Sequence, residues 1–363
     1  MPSSIPSPGR RPAPWLRAAL LAALLLLPGL AMAQAPAVPP LPLKVVGGLA
    51  GVSQFVNFEE PFWRDEVPRL TGGRVQPEIV ASDRAGIRSQ EMLPLIRLGV
   101  VPFGTALLAV MSTEEPEFNA MDLPVLNPTI GDLRRTMTLF RPFLERALSE
   151  RYGVRLLSIY TYPAQVVWCN RPFTSLADLR GRRVRTSSVG QADLIAAVGG
   201  TAVVTPFNEI VSAMRAGVVE CAITGTLSGM AIGLHEVTTH IHAQAFNWGV
   251  SIFAANEQAW DALPEDIRAI LTENIAALER RIWDGAEQET GLGLACAAGQ
   301  PACTMERRGS LTIVPASAAE EAGRIAMLTG AVLPRWIERC GRVCAEVWND
   351  SLAAQLGIRV PAN

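Results

Sequence analysis

Three short segments carry the side chains best suited to hold a small ligand: Arg185-Thr186-Ser187, Pro206-Phe207 and Thr224-Gly225-Thr226. A guanidinium offers two parallel donors that match the two oxygens of a carboxylate. An aromatic ring can pack on a ligand body, and hydroxyl groups can donate and accept hydrogen bonds. One cation, one aromatic ring and several hydroxyls are therefore available to a ligand, provided that the fold brings the three segments together.

The elements between these segments predict that they meet. Strands are predicted at 182–185, 201–205 and 218–223, with helices over 189–198 and 209–216 between them. Right-handed crossovers make the three strands of such a βαβαβ unit parallel. Ligands of parallel sheets bind outside the carboxyl ends of the strands, so the sequence predicts a site at that edge.

The rest of the chain also alternates between strand and helix patterns, which is typical of an α/β fold. Apolar strand patterns occur at 43–47, 74–81 and 251–255, and a long amphipathic helix is predicted over 129–152. Another helix begins near residue 265 and continues to about Thr290. That helix is long enough to cross from one domain to another.

The composition excludes several classes of protein. Of 363 residues, 49% are hydrophobic and 18% are charged, so the chain can bury a large core and is not disordered. The 32 lysines and arginines nearly balance the 34 acidic residues, which gives a formal charge of −2. A balanced chain has no overall attraction to nucleic acid or to anionic membranes, and neither is an expected partner.

No pattern of catalytic residues assembles in the sequence. The segment 225–229 is not the Gly-x-Ser-x-Gly elbow, and neither a His-Glu-x-x-His motif nor a glycine-rich phosphate loop occurs. His235, His240 and His242 raise the alternative of a metal site, but the accompanying carboxylates are missing. We therefore expect neither a metal nor a cofactor, and not an enzyme.

Six cysteines occur in the chain, at 169, 221, 296, 303, 340 and 344. An exported protein can oxidise them. The turn-forming residues between Cys296 and Cys303 favour a local disulfide there, while the other pairings stay open. A zinc site is the competing interpretation, and it lacks a Cys-x-x-Cys pair or a histidine at zinc spacing.

The N-terminal segment has the order of a secretory signal. Three arginines precede residue 18, residues 18–27 are apolar, and Ala31-Met32-Ala33 supplies the small residues of a cleavage site. An uncleaved anchor is the alternative, but a membrane span needs about 20 apolar residues. We expect residues 1–33 to be a signal peptide and the mature protein to reside in the periplasm.

The run from Phe173 to Thr224 resembles the periplasmic solute receptors of TRAP transporters. The resemblance is carried by "DLRGRRVR", by "PFNEI" and by "AMRAGVVECAIT", and it extends more weakly to "GVRLLSIYTY" and "SIFAANEQAWDALPEDIRAIL". It implies a two-domain periplasmic-binding-protein clamshell with a long domain-spanning helix. Residues 38–162 with 250–289 would form domain I, and residues 163–249 with 290–363 would form domain II.

The resemblance also implies roles for individual residues. Arg185 takes the place of the arginine that clamps the ligand carboxylate, and Phe207 that of an aromatic residue which packs on the ligand. Thr224 stands where the family has an asparagine that binds the ligand, and Glu220 replaces an aspartate. Charge pattern alone would instead make Arg185 part of a solvated basic run, with Arg183 on the same strand face as the competing candidate.

Departures from the family pattern concern the charge of the pocket. Gln165 stands nearest the place of a second arginine, and Leu107 stands near that of an acidic residue in some sugar-acid receptors. Asn247, Trp248 and Phe55 are further candidates to line the cleft, with hinge or core packing as the alternative for each. A pocket with Arg185 as its one cation favours a monocarboxylate.

The function implied by the resemblance is capture of a small organic acid by a monomeric receptor that delivers it to TRAP-type membrane subunits. A receptor that presents its ligand state to a membrane sensor kinase is an alternative with a different partner. An enzyme on the same fold is a further alternative, because fold does not fix function.

The signal peptide yields the first testable prediction. Cleavage after Ala33 should leave a mature chain that begins at Gln34, because small residues at 31 and 33 suit the peptidase. The intact mass of exported protein should equal that of residues 34–363, corrected for disulfides and for cyclisation of Gln34. A full-length chain recovered from the membrane would contradict it.

Overall fold

The computed structural model of the protein describes residues 39–361, and the predicted signal segment, residues 1–33, lies outside them. Strands of three to eight residues form two sheets within this part of the chain. They are β1 (Leu41–Gly47), β2 (Val75–Ala81), β3 (Phe103–Leu107), β4 (Val154–Thr161), β5 (Gln165–Cys169), β6 (Arg183–Thr186), β7 (Thr201–Val204), β8 (Cys221–Gly225), β9 (His240–His242), β10 (Val250–Asn256) and β11 (Thr312–Val314).

Helices connect and cover these strands. The α-helices are α1 (Val67–Leu70), α2 (Met92–Arg97), α3 (Leu108–Met111), α4 (Ile130–Tyr152), α5 (Val189–Ala197), α6 (Ile210–Arg215), α7 (Thr226–Ala231), α8 (Glu257–Asp261), α9 (Glu265–Ala297), α10 (Ala318–Met327), α11 (Leu333–Cys340), α12 (Arg342–Ser351) and α13 (Ala353–Leu356). The π-helical segments are Gln54–Glu59, Phe62–Glu66 and Leu328–Val332, and the 3₁₀ turns are Ser89–Glu91, Pro116–Asp122, Leu176–Leu179, Phe207–Glu209 and Leu234–Glu236.

The first sheet has the strand order β2-β1-β3-β10-β4. Strand β1 runs parallel to β2 and β3, whereas β10 runs antiparallel to β3 and β4. The chain thus returns to this sheet with β10 after building most of the second one. The carboxyl ends of β1 and β3 lie at one edge, where the loop after β1 begins at Gly48.

The second sheet has the order β11-β9-β5-β8-β6-β7. Strand β6 lies between β7 and β8 and is parallel to both, which confirms the predicted βαβαβ unit. Polar residues follow each of the three strands at the same edge. The predicted third strand begins later than expected, at Cys221, because residues 217–220 form the turn that ends α6.

Helix α9 has 33 residues and is therefore about 50 Å long. Its first half buries a stripe against the first sheet, formed by Ile267, Leu271, Ile275, Leu278 and Ile282. Its second half approaches α7 so closely that a Cβ on Gly293 would lie 2.4 Å from the backbone nitrogen of Leu227. The helix thus ends at Ala297, seven residues beyond Thr290, where the sequence pattern placed its end.

The two sheets belong to one compact unit that begins at Pro40. Sheet membership changes between β4 and β5, between β9 and β10, and between β10 and β11, while the division into domains I and II stays a prediction. The α/β class is confirmed. None of the helices within residues 39–361 is long and apolar enough to cross a membrane.

Three disulfides are present in the described part of the chain. Cys296–Cys303 closes the loop after α9, as the sequence predicted. Cys169–Cys221 links directly opposed positions of β5 and β8, and Cys340–Cys344 joins the end of α11 to α12. The first two pairings tie the second sheet and the end of the long helix to their surroundings.

Candidate ligand-binding site

Arg185 is the most unusual side chain of the second sheet because it is charged and only 3% exposed. Its Nε donates to the carbonyl oxygen of Thr205 at 2.9 Å, and its Nη1 donates to that of Ile223 at 2.7 Å. Thr205 directly follows β7, and Ile223 belongs to β8. Parallel pairing of β6 with these two strands therefore fixes the position of the guanidinium.

No acidic side chain of residues 39–361 forms an ion pair with Arg185, and its Nη2 has no hydrogen-bond acceptor among them. Burial lowers its pKa to about 10, which still leaves it positively charged at neutral pH. A buried cation without a counter-charge is costly unless an anion pairs with it. The geometry therefore suits an anionic ligand.

Arg183, the competing candidate, lies in a different environment. Its side chain is 49% exposed, donates to the carbonyl oxygens of Val218 and Gly217, and lies 3.8 Å from the carboxylate of Glu220. Glu220 also forms an ion pair with Arg171. Arg183 is thus a solvated residue with Glu220 as its counter-charge, and Glu220 forms its ion pairs at the protein surface.

Gln165 and Thr224 lie at the same edge as Arg185. They are in adjacent strands, where Gln165 pairs with Gly225 and Val166 with Thr224. The Gln165 amide donates to the carbonyl oxygens of Pro163 at 3.1 Å and Trp248 at 3.2 Å. The side chain is therefore held against the connection between the sheets and contributes no charge there.

Phe207 and Phe55 differ in what they face. Phe207 is half-buried at the end of β7, and a Cβ on Gly51, in the loop after β1, would lie 4.0 Å from its ring. Phe207 therefore faces the first sheet. Phe55 is 1% exposed and packs under Gly47, where a Cβ would come within 2.7 Å of its ring. Phe55 lies in the core and presents no surface to a ligand.

Asn247 and Trp248 form part of the connection between the sheets. The buried carboxylate of Asp122 accepts hydrogen bonds from the Asn247 amide and from the backbone N–H groups of Trp248 and Gly249, at 3.1, 2.9 and 2.8 Å. Burial raises the pKa of Asp122 to about 6. The indole N–H of Trp248 donates to the carbonyl oxygen of Asn127 at 3.0 Å, so this ring is packed in the core.

Asn247 continues the network towards Arg185. Its Oδ1 accepts from the Gln191 amide at 3.0 Å, and Gln191 Oε1 accepts from the backbone N–H of Ser187 at 2.8 Å. Ser187 is two residues beyond Arg185. A continuous path of hydrogen bonds, buried except at its last step, thus leads from Asp122 to the loop that follows β6.

A second polar cluster lies behind the loop after β1. The Glu59 carboxylate is 1% exposed and accepts hydrogen bonds from the backbone N–H of Gly48, at 2.7 Å, and from the Thr105 hydroxyl. Burial raises its pKa to about 7. Tyr162 and Gln54 lie beside it, and Tyr162 also borders a small cavity together with Thr105 and Leu107.

Two of the three histidines, His240 and His242, lie on β9 and both pack against Phe173. His242 is buried, stacks on Phe173 with ring centroids 6.0 Å apart, and accepts a hydrogen bond from the backbone N–H of Gln244. His240 contacts the Thr239 hydroxyl. Within residues 39–361 no group of three or more histidine, cysteine or acidic side chains could hold a metal ion.

Sequence reasoning missed Asp122, Gln191, Glu59 and Tyr162. A signal existed for Glu59, which follows Phe55 by four residues and precedes Phe62 by three, so that it shares a helical face with two buried aromatic residues. An acid on an apolar face indicates a buried carboxylate. Asp122 lies in a 3₁₀ turn without such periodicity.

A two-sheet α/β fold with a buried cation, unpaired within residues 39–361, at the carboxyl edge of parallel strands is compatible with a solute-binding protein. Residues 57–291 match the family described as bacterial extracellular solute-binding protein, family 7, also called DctP. The match covers well over half of the chain. The protein belongs to this family, as the sequence resemblance predicted.

Individual relatives agree with this assignment. A C4-dicarboxylate-binding periplasmic protein of Rhodobacter capsulatus is 25% identical over 213 residues, which is 57% of this chain and 63% of the relative. The solved structure of DctP7, an extracytoplasmic solute receptor of Bordetella pertussis that binds pyroglutamic acid, has a TM-score of 0.74 at 21% identity and covers 85% of this chain and 98% of that one.

A third relative is a TRAP periplasmic solute-binding protein from Rhodoferax ferrireducens, solved with bound malonate. It has a TM-score of 0.73 at 21% identity and covers 87% of this chain and 100% of that one. The two solved structures share the fold of this protein. The chain matches less than two thirds of the length of the Rhodobacter relative.

Glu59 generates a prediction about pH. A carboxyl group whose pKa is raised by folding stabilises the fold while protonated, fully below about pH 4.5, and that stabilisation is lost as the pH rises through about 7. Glu59→Gln replaces the carboxyl group with a neutral amide of similar shape. It should remove this pH-dependent loss in the free energy of unfolding, which is on the order of 3 kcal/mol. Urea unfolding from pH 4 to pH 8 measures it. Parallel pH profiles of the two proteins would contradict it.

Proposed function

We propose that the protein is a periplasmic receptor that binds a small organic carboxylate between its two sheets and delivers it to TRAP-type membrane subunits. The observation that carries the proposal is the buried guanidinium of Arg185, which no acid of residues 39–361 neutralises. Membership of an extracellular solute-binding family supports the compartment and the role. The predicted signal peptide supports export.

Capture is a population shift towards a closed form. A ligand that contacts both halves binds that form better than an open one, and the difference in affinity drives closure. The approach of Gly51, in the loop after β1, to the Phe207 ring supports contact of one ligand with both sheets. Helix α9 and the segment that Asp122 holds would connect the two halves during this motion.

The charge of the site favours a monocarboxylate. Arg185 neutralises one carboxylate, whereas Gln165 supplies an amide held by backbone carbonyls, and Leu107 supplies an apolar wall. A second carboxylate would enter the site without a counter-charge, at a large desolvation cost. This expected preference differs from the ligands named for two relatives, which are malonate and C4-dicarboxylates.

The clamp gives a prediction with a matched control. Arg185→Ala should weaken binding of the ligand carboxylate by about 3–5 kcal/mol, or two to three and a half decades, because the carboxylate loses its buried partner. Arg185→Lys should restore part of this, since an ammonium lacks the planar fork. Arg183→Ala, two residues away and solvated, should bind as wild type.

Calorimetry on the mature protein measures these affinities, and a thermal-shift screen of organic acids first identifies a ligand. Native affinity in Arg185→Ala would remove Arg185 from the site. Loss of affinity in Arg183→Ala would transfer the role of the clamp to Arg183.

A second prediction concerns ligand charge. Wild type should bind its best monocarboxylate more tightly than succinate, malate or fumarate, and Gln165→Arg should shift the preference towards these dicarboxylates by supplying the second cation. Competition calorimetry with both proteins measures the shift. A dicarboxylate that binds wild type more tightly than every monocarboxylate tried would refute the argument from Gln165.

A further inference from the structure

Four arginines cluster at the end of the second sheet opposite the edge that carries Arg185. They are Arg171, Arg180, Arg182 and Arg183, and we call this surface the basic pole. Arg183 begins β6, and Arg180 and Arg182 lie in the turn before it. Arg171 follows β5, whose last residue pairs with the first residue of β8. Strand pairing therefore brings the four side chains to one end of the sheet.

Backbone carbonyl oxygens hold two of these guanidinium groups. Arg182 donates to the carbonyl oxygens of Arg171 at 3.2 Å and Pro172 at 2.7 Å. Arg183 donates to that of Val218 at 2.9 Å. Carbonyl dipoles orient a cation without cancelling its charge. Burial and the nearby Arg171 charge lower the pKa of Arg182, in agreement with crowded positive charges.

Glu220 and Asp178 supply negative charge at the basic pole. Glu220 is shared between two arginines, since it forms an ion pair with Arg171 and lies 3.8 Å from Arg183. Asp178 accepts hydrogen bonds from the backbone N–H and the hydroxyl of Thr174. Four cations and these two acids give the basic pole a formal charge of +2.

The charge of the basic pole is opposite to that of the chain as a whole. Removal of the predicted signal peptide takes away Arg10, Arg11 and Arg17 and no acid, so the formal charge changes from −2 to −5. The balanced composition gives no overall attraction to an anionic membrane, but the charge is unevenly distributed. An anionic surface attracts the basic pole and repels the remainder, so it orients the protein.

The basic pole is accessible and includes an apolar side chain. The side chains of Arg171 and Arg183 are 59% and 49% exposed. Arg180 is also exposed, and its Nη1 lies 3.3 Å from a Cβ placed on Gly199. Val218, whose carbonyl oxygen holds Arg183, is 50% exposed. Guanidinium forks suit phosphate oxygens, and an exposed aliphatic side chain beside them suits the boundary between headgroups and acyl chains.

We propose that the basic pole is an interaction surface for anionic phospholipid headgroups. The edge that carries Arg185 lies at the other end of β6, so lipid and carboxylate bind independently. Association with lipid concentrates the receptor on the membrane that holds its proposed partners. Each arginine near an anionic membrane contributes about fivefold in affinity, so a charge of +2 predicts a preference of about 25-fold over neutral lipid.

Vesicle sedimentation with the mature wild-type chain tests this surface. Vesicles of equimolar phosphatidylglycerol and phosphatidylcholine are compared with vesicles of phosphatidylcholine alone at low ionic strength. Wild type should partition onto the anionic vesicles about tenfold or more in excess. About 0.5 M sodium chloride should remove the difference, because salt screens exposed charges.

Variants assign the preference to the basic pole. Arg180→Glu reverses one exposed charge and should weaken binding to anionic vesicles about tenfold or more. Arg171→Gln, Arg180→Gln and Arg183→Gln combined should abolish the preference, and if that variant fails to fold, Arg180→Glu decides alone. Arg146→Glu makes the same charge change on α4, which packs against the first sheet, and should bind vesicles as wild type.

Three results overturn the proposal: equal partition of wild type onto both kinds of vesicle, wild-type partition of Arg180→Glu, or an equal loss in Arg146→Glu. Binding of poly-L-glutamate that requires Arg180, without binding to vesicles, also overturns it and favours an acidic protein partner. Calorimetry should show wild-type carboxylate affinity in Arg180→Glu. Failure of the lipid surface and failure of the proposed function are therefore distinguishable.

Discussion

The guanidinium of Arg185 is held by the carbonyl oxygens of Thr205 and Ile223, on either side of its own strand. These carbonyl dipoles orient the cation but supply no net negative charge, so much of the electrostatic cost of burying it remains until an anion arrives. Parallel pairing of β6 with β7 and β8 creates this position. The group proposed to hold a ligand carboxylate is thereby placed at one edge of one sheet.

Asp122 is a buried acid whose hydrogen-bond donors all belong to the chain itself. Two backbone N–H groups and the Asn247 amide bond to its carboxylate, and the segment they belong to connects the two sheets. The charge is matched by the chain itself, so its role is to fix that segment. Through Asn247 and Gln191 a chain of hydrogen bonds reaches Ser187, so the loop after β6 is coupled to the connection between the sheets.

Glu59 is intermediate between these two cases. The chain provides it with donors from Gly48 and Thr105, but no lysine, arginine or histidine among residues 39–361 forms an ion pair with it. Burial therefore raises the pKa of Glu59 to about 7, because the buried charged form is disfavoured.

The sequence by itself determined the α/β class, the βαβαβ unit and the long helix, because periodicity, glycine stops and chain direction are local or follow from handedness. It placed Arg185 at the end of a strand, but the candidate role as a clamp came from the family resemblance. It did not distinguish Arg183 from Arg185 by charge, nor place Phe55 in the core, nor find Asp122 and Glu59. Only the tertiary structure decided these, since burial and partners depend on residues far apart: Asp122 is bound by residues 247–249, and Glu59 by Gly48 and Thr105. Whether a charged side chain is available to a ligand depends on its burial and its hydrogen-bond partners, and packing within the two sheets determines both.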